Sequence, residues 1–278
     1  MRQGLKQAGF VEGNNVAVEY RYADSQLDRL PALAADLVHR QVALIIAGGN
    51  ASSLAAKAAT TTIPVVFSTG DEPVQIGLVS SLGRPGGNVT GVSFFSITTL
   101  AGKRLDLLHE VVPKVDTIAY LMNPNNPFKH ELRELRKTAD ALGLKIFVVS
   151  AGSDSDIEAA FARLAQERAG ALLISSDSWL NSLRERLIAL SARQALPTMY
   201  LLREFTAAGG LMSYGASMTE AYRQAGIYAG GILKGAQPAE LPIVLPSKFE
   251  LVINLTTAKA LGIDVPLSLL IRADEMID

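Results

Sequence analysis

The sequence predicts an α/β protein made of two doubly wound parallel-sheet lobes, on three observations. Short apolar runs alternate with helical patterns along the whole chain, as strands alternate with helices when parallel sheets carry helices on both faces. Four of the runs end in knots of small polar, Gly or Pro residues: Leu44–Ala47 into Gly48-Gly49-Asn50-Ala51-Ser52, Val65–Phe67 into Ser68-Thr69-Gly70-Asp71-Glu72-Pro73, Ile118–Met122 into Asn123-Pro124-Asn125-Asn126-Pro127, and Ala171–Ile174 into Ser175-Ser176-Asp177-Ser178. The strand count also exceeds one small sheet, and the alternation starts afresh near residue 95.

The elements follow in order. Residues 2–8 read as a helix closed by Gly9 and a turn at 12–15. Val16–Tyr22 alternates apolar and polar residues, the pattern of a half-buried strand. Ser25 with Asp28 forms a cap pattern before a helix carrying Leu30, Leu33, Ala34, Leu37 and Val38 on one face. Strand 43–47, helix 51–60, strand 64–68, a short helix around 74–82 and strand 88–94 complete the first half.

Helix 98–111 and strand 117–122 open the second half. Asn126 is an N-cap candidate with Pro127 at the first helical position of a helix reaching 142. Strand 144–150, helix 155–168 with the capping box Ser155-x-x-Glu158, strand 170–175, helix 179–194 and strands 197–201 and 209–214 come next. Ser217-x-x-Glu220 caps a long helix to 234, and Gly235 stops it. Pro238, Pro242 and Pro246 keep the following stretch extended before strand 249–254, helix 255–261 and an apolar tail expected to dock as a short helix.

Composition narrows the function classes. Of 278 residues, 49% are hydrophobic and 19% charged, which excludes a disordered chain. A net charge of −1 gives no bulk attraction to nucleic acid or acidic lipid. No apolar run approaches the roughly 18 residues of a membrane span. Met1 leads into Arg-Gln-Gly-Leu-Lys, which carries no leader pattern. Cysteine is absent, so disulfides, thiol nucleophiles and Cys metal sites are excluded and the compartment stays open.

The motifs of catalysis are lacking. No Gly-x-Gly-x-x-Gly follows a strand, and neither a P-loop nor a Gly-x-Ser-x-Gly elbow occurs. His39, His109 and His130 lie on helical stretches without a second His at i+4, so solvated surface histidines are expected and neither a metal nor a cofactor. Asp71 and Asp177 follow strands and could pair for acid–base work. Each also has a structural alternative, Asp71 as a turn residue before Pro73 and Asp177 as the N-cap of helix 179–194. Ligands of α/β sheets sit beyond the carboxyl ends of parallel strands, so the polar knots point to binding rather than turnover.

Gln7-Ala8-Gly9-Phe10-Val11-Glu12-Gly13-Asn14-Asn15-Val16, Arg29–Val38, Ile63–Phe67, Ala258–Gly262 and above all Pro85-Gly86-Gly87-Asn88-Val89-Thr90-Gly91-Val92-Ser93 resemble the ABC-transporter substrate-binding proteins of the tryptophan/tyrosine branch. The resemblance covers nearly the whole chain. It implies the type I periplasmic-binding fold, three hinge crossings, ligand closed into a cleft, a periplasmic or extracytoplasmic place for the full-length protein, and delivery to a membrane permease. It also implies a signal peptide and a first strand before the opening helix. Neither has a counterpart here, so a truncated chain or a late-assigned start is expected, with a gap in the first sheet.

The chain is read as a first lobe of 1–94 plus about 216–278 and a second of 95–215, with the lobe of 242–254 left open. The resemblance places Gly49, Asn50, Ser68, Thr69 and Asp71 on the first-lobe wall, and Ser93 with Phe94 at the first crossing. Asn123, Asn125 and Asn126 fall in the polar loop after the second lobe's first strand, Ser176, Asp177 and Ser178 in its counterpart, and Tyr214 at the second crossing. For an amino-acid cargo, Asp177 would receive the ammonium, and the helix starts at Ser52 and Ser178 would hold a carboxylate. Phe94, Phe95, Trp179 or Tyr214 would supply an apolar wall; simple core packing is the alternative for Trp179. No Arg directly follows the four runs.

The leading expectation is a non-enzymatic solute-binding component of an ABC importer that captures a small polar or aromatic molecule. Its expected partners are a small-molecule ligand and an ABC permease, with no nucleic acid, and it is expected to act as a monomer. The rivals are a ligand-sensing module on the same fold, which neighbouring kinase genes would support, and an α/β enzyme using Asp71 and Asp177, in which alanine at either would abolish turnover but not binding.

Overall fold

The structure is a computed structural model describing residues 1–24, 26–94, 97–125, 130–245 and 248–278, with backbone only at 97–99, 130 and 178. The expectations placed on Ser25, Phe95, Asn126, Pro127 and Pro246, and on the His130 and Ser178 side chains, lie outside the described residues. The chain divides into two compact units, 1–95 with 217–247 and 96–216 with 248–278.

The first unit opens with helix α1 (Arg2–Gln7), then α2 (Leu30–His39), strand β1 (Ile45–Gly48), α3 (Asn50–Ala59), β2 (Val65–Thr69) and β3 (Val89–Ser93). The strands form a parallel sheet in the order β1-β2-β3. Alternation along β2 explains its layers: Val65 and Phe67 enter one apolar cluster with Ile45, Ala56 and Leu78, while Val66 enters the other with Leu5, Val92 and Ala225. A strand buried on both faces reads as a continuous apolar run.

The second unit runs α4 (Ile97–Val111), β4 (Thr117–Met122), α5 (His130–Leu142), β5 (Lys145–Ser150), α6 (Asp154–Gln166), β6 (Ala171–Ile174), α7 (Ser178–Ser182), α8 (Arg184–Arg193), β7 (Thr198–Tyr200), α9 (Arg203–Ala207) and β8 (Met212–Ala216). The chain then returns to the first unit for α10 (Met218–Leu233), where the Ser217 hydroxyl accepts the Glu220 N–H at 3.4 Å. It re-enters the second for β9 (Phe249–Asn254), α11 (Leu255–Ala260), α12 (Leu267–Arg272) and β10 (Glu275–Ile277). The sheet order is β10-β9-β8-β7-β6-β4-β5, parallel except between β8 and β9. Ile118, Tyr120, Ala171 and Leu173 face one core layer, and Ala119, Leu121, Leu172 and Ile174 face the other.

Several expectations are corrected. Val16–Tyr22 is not a strand: a cavity of about 490 Å³ lies between it and Ala43–Ile46, and among the described residues its backbone has no ladder neighbour beyond the Glu12–Val16 bridge. Residues 74–82 form turns rather than a helix, because Gly77 adopts φ +74°. Helix 155–168 starts earlier, with Ser153 as N-cap and Asp156 accepting the Gly152 N–H at 3.0 Å, so Ser155 lies inside the helix and not at its cap. Helix 179–194 is broken at Leu183 into α7 and α8.

The helix α9 and strand β10 were not expected from the sequence. His109 is half-buried, and its Nδ1 has no hydrogen-bond partner among the described residues, unlike a solvated surface histidine. Finally, 248–278 groups with the second unit, not the first. Val244 bridges Val92 beside β3, whereas β9 hydrogen-bonds β8, so the chain changes unit between them.

Candidate functional site

Each unit carries a polar cluster at the carboxyl end of its parallel strands. In the first unit, β1 and β2 run in register from Ile45↔Val65 to Gly48↔Ser68, so the two loops that follow emerge side by side. Gly49, at φ +91°, makes the turn into α3, a conformation that glycine alone adopts without strain. Its N–H binds the Ser68 carbonyl at 2.8 Å. The Asn50 side chain then spans the cluster, donating its amide to the Asp71 carboxylate and accepting the Thr69 hydroxyl. The Asp71 N–H donates to Thr69 Oγ1 at 3.2 Å, and Ser93 Oγ donates to the Asp71 carbonyl at 3.3 Å.

Ser68, Thr69 and Ser93 are fully buried, and the Thr69 and Ser93 hydroxyls hold the loops from below. Ser52 is likewise committed: its hydroxyl donates to the Gly49 carbonyl at 3.1 Å and also reaches that of Gly48. What α3 presents is its first amides, at Asn50, Ala51 and Ser52, which precede the first intrahelical bond, from Ser53 N–H to the Gly49 carbonyl. The Phe94 ring lies on Gly70, where an added Cβ would stand 2.9 Å from Phe94 Cε2.

In the second unit, β4 and β6 pair up to Leu121↔Ile174, bringing the loops at 123–125 and 175–177 together. Asn123 donates its amide to both Asp177 oxygens at 3.2 and 3.3 Å, while its own Oδ1 accepts the Asn125 N–H at 2.9 Å. Asp177 Oδ1 also accepts the Leu180 N–H at 2.9 Å and so caps α7, the structural role weighed for it. Asn125 is exposed. Trp179 is half-buried against the apolar layer that contains Phe161 and Tyr200, as core packing requires. Tyr214 is half-buried on β8 with its ring 6.2 Å from that of Phe249, and burial pushes its phenol pKa up.

Beneath this loop lies an ion pair that the sequence reading missed. Arg104 on α4 is fully buried and pairs with Glu131 in the first turn of α5. Burial lowers the guanidinium to about 10, which still leaves it charged at neutral pH. Arg104 Nη1 donates to the Ile174 carbonyl at 2.8 Å, and Glu131 Oε2 accepts the Ser176 N–H at 2.9 Å. A signal was present: Arg104 falls on the helix face of Leu100, Ala101, Leu108 and Val111, and a cation in an apolar stripe requires a buried partner.

The chain as a whole is similar to several described proteins. A curated tyrosine-binding protein of Clostridioides difficile (strain R20291) is 25% identical over 261 residues, 93% of this chain and 74% of the relative. The crystal structure of a conserved domain protein from Vibrio cholerae is 28% identical with a TM-score of 0.86, covering 99% of this chain and 92% of that one. An ABC domain from Streptococcus pneumonia, crystallised in complex with L-Trp, has a TM-score of 0.86 at 23% identity, covering 99% and 94%. The two α/β lobes are of the type I periplasmic-binding class. The family described as ABC transporter substrate binding protein matches residues 1–277, and the chain belongs to that family of extracytoplasmic substrate-binding proteins.

Proposed function

We propose that this substrate-binding protein takes an aromatic amino acid, L-tryptophan or L-tyrosine, as its cargo. The observation that carries the reading is the Asp177 carboxylate, held at the end of β6 by the Asn123 amide and by its own capping bond to Leu180. Two neutral donors fix the direction of this carboxylate, and an α-ammonium group is its complementary cation. Within the first unit, the first amides of α3 suit an anionic group, because a helix N-terminus presents N–H groups with a favourable dipole. Tyr214, on β8 of the same unit as Asp177, supplies aromatic surface for the side chain. The tyrosine-binding relative and the L-Trp complex of the structural neighbour support the aromatic class.

On this reading Asp71 and Asp177 bind and shape the loops rather than transfer protons, and the protein is not an enzyme. It delivers its cargo as a monomer to an ABC permease. Thermal melts test the cargo. At a ligand concentration of 100 Kd, binding to the native state adds about 2.7 kcal/mol. L-tryptophan or L-tyrosine should therefore raise the melting temperature saturably, with L-leucine and benzoate as comparators. The absence of a shift with either aromatic amino acid, or a larger one with a comparator, refutes the assignment.

A further inference from the structure

We infer that Arg104 and Glu131 are positioning residues that set ligand affinity by fixing the 174–177 loop from inside the second unit. Neither side chain belongs to the surface clusters: Arg104 is 0% exposed and Glu131 5%. Yet together they hold the two peptide groups that flank Ser175, through the Ile174 carbonyl and the Ser176 N–H. Arg104 Nη2 also lies 3.5 Å from the Ser176 hydroxyl, which is 3.4 Å from Glu131 Oε1. Asp177 is the next residue, so the direction in which its carboxylate leaves the strand is set by this pair. Glu131 also sits at the start of α5, the helix that follows the Asn123–Asn125 loop. One ion pair thus ties together α4, the start of α5 and the end of β6, and hence the loop bearing Asp177.

A buried pair is a poor choice for stability alone, since apolar residues of similar volume commonly serve as well or better. Its geometry suits another task. A guanidinium donates in a fixed fork and a carboxylate accepts on two oxygens, so both peptide groups are held in direction as well as distance. An apolar filler would keep the volume and lose the direction.

Two double variants test this. Arg104→Met with Glu131→Leu removes both tethers without leaving a buried charge. Arg104→Met with Glu131→Gln keeps an amide oxygen for the Ser176 N–H. Hydrogen exchange at Ser176 and Leu180 gives a ligand-free readout. The Leu variant should exchange faster there while β4 amides stay protected, and the Gln variant should restore protection at Ser176.

Calorimetric titration with L-tryptophan and L-tyrosine gives the second readout, which rests on the proposed cargo. The Leu variant should bind about tenfold more weakly, the loss expected for about one misplaced charge-assisted hydrogen bond, and the Gln variant should recover most of it. Unchanged exchange in both folded variants, or wild-type affinity in the Leu variant, overturns the inference. If the wild-type protein binds neither amino acid, the cargo assignment alone fails, and the exchange readout still decides whether the pair positions the loop.

Discussion

Replacing Asp177 by Asn separates its two duties, capping and charge. Asn is as good an N-cap as Asp, so Asp177→Asn keeps the bond to the Leu180 N–H that measures 2.9 Å in the native chain. Its side-chain oxygen can also still accept from the Asn123 amide. Folding stability should therefore fall by no more than about 0.5 kcal/mol. The charge is lost, and with it the charge-assisted part of any bond to a ligand ammonium. Hydrogen bonds to charged groups contribute about 1.5–3 kcal/mol. At about 1.4 kcal/mol per factor of ten, Kd should rise by about 10- to 150-fold.

Asp177→Ala supplies the contrast, because it also removes the cap, worth about 0.5–2 kcal/mol. It further strips Asn123 of its partner, at about 1–3 kcal/mol where the amide stays buried. Calorimetric titration of L-tryptophan and L-tyrosine, paired with urea unfolding of each variant, reads both quantities. Wild-type affinity in Asp177→Asn would refute the ammonium assignment. A large stability loss in that variant would refute the capping account.

Other outcomes follow from packing and charge within single units. Helix α1 crosses α10 at glycines, and a Cβ built on Gly226 would stand 2.2 Å from the Met1 carbonyl oxygen. Gly226→Ala should push the helices apart and destabilise the protein by about 1–3 kcal/mol in denaturant melts, despite alanine's better helix propensity; a stabilised variant would contradict the close crossing. Glu220 is drawn down to about 2 by hydrogen bonds from Arg223 and then Gln224. Its folded pKa lies below the unfolded value, so its contribution is present above about pH 4.5 and is lost as pH falls toward 2. With 40% of its side chain exposed, solvent screens the pair, and Glu220→Gln should lower stability at pH 7 by only about 0.5 kcal/mol, with the difference vanishing near pH 2. An equal deficit at both pH values would exclude the ion pair as its cause.

The sequence by itself determined the alternating elements, the strands buried on both faces, and the polar loops that end them. These depend on local periodicity, on residues suited to caps and turns, and on the rule that parallel α/β sheets bind at their strand ends. Gly49, Asn50, Thr69, Asp71, Asn123 and Asp177 were legible for that reason, each lying within a few residues of an apolar run. Pairing was not legible, because a strand pattern states which face is apolar and not which backbone lies beside it. Val16–Tyr22 therefore has the alternation of a strand without a ladder, and β9 joins the second sheet antiparallel to β8. The same reason hid the support of the candidate site. Arg104 and Glu131 stand 27 residues apart, and Glu131 reaches Ser176 across 45 more. Only the packing of α4 and α5 against the end of β6 brings a buried cation, its carboxylate and two peptide groups within hydrogen-bond reach.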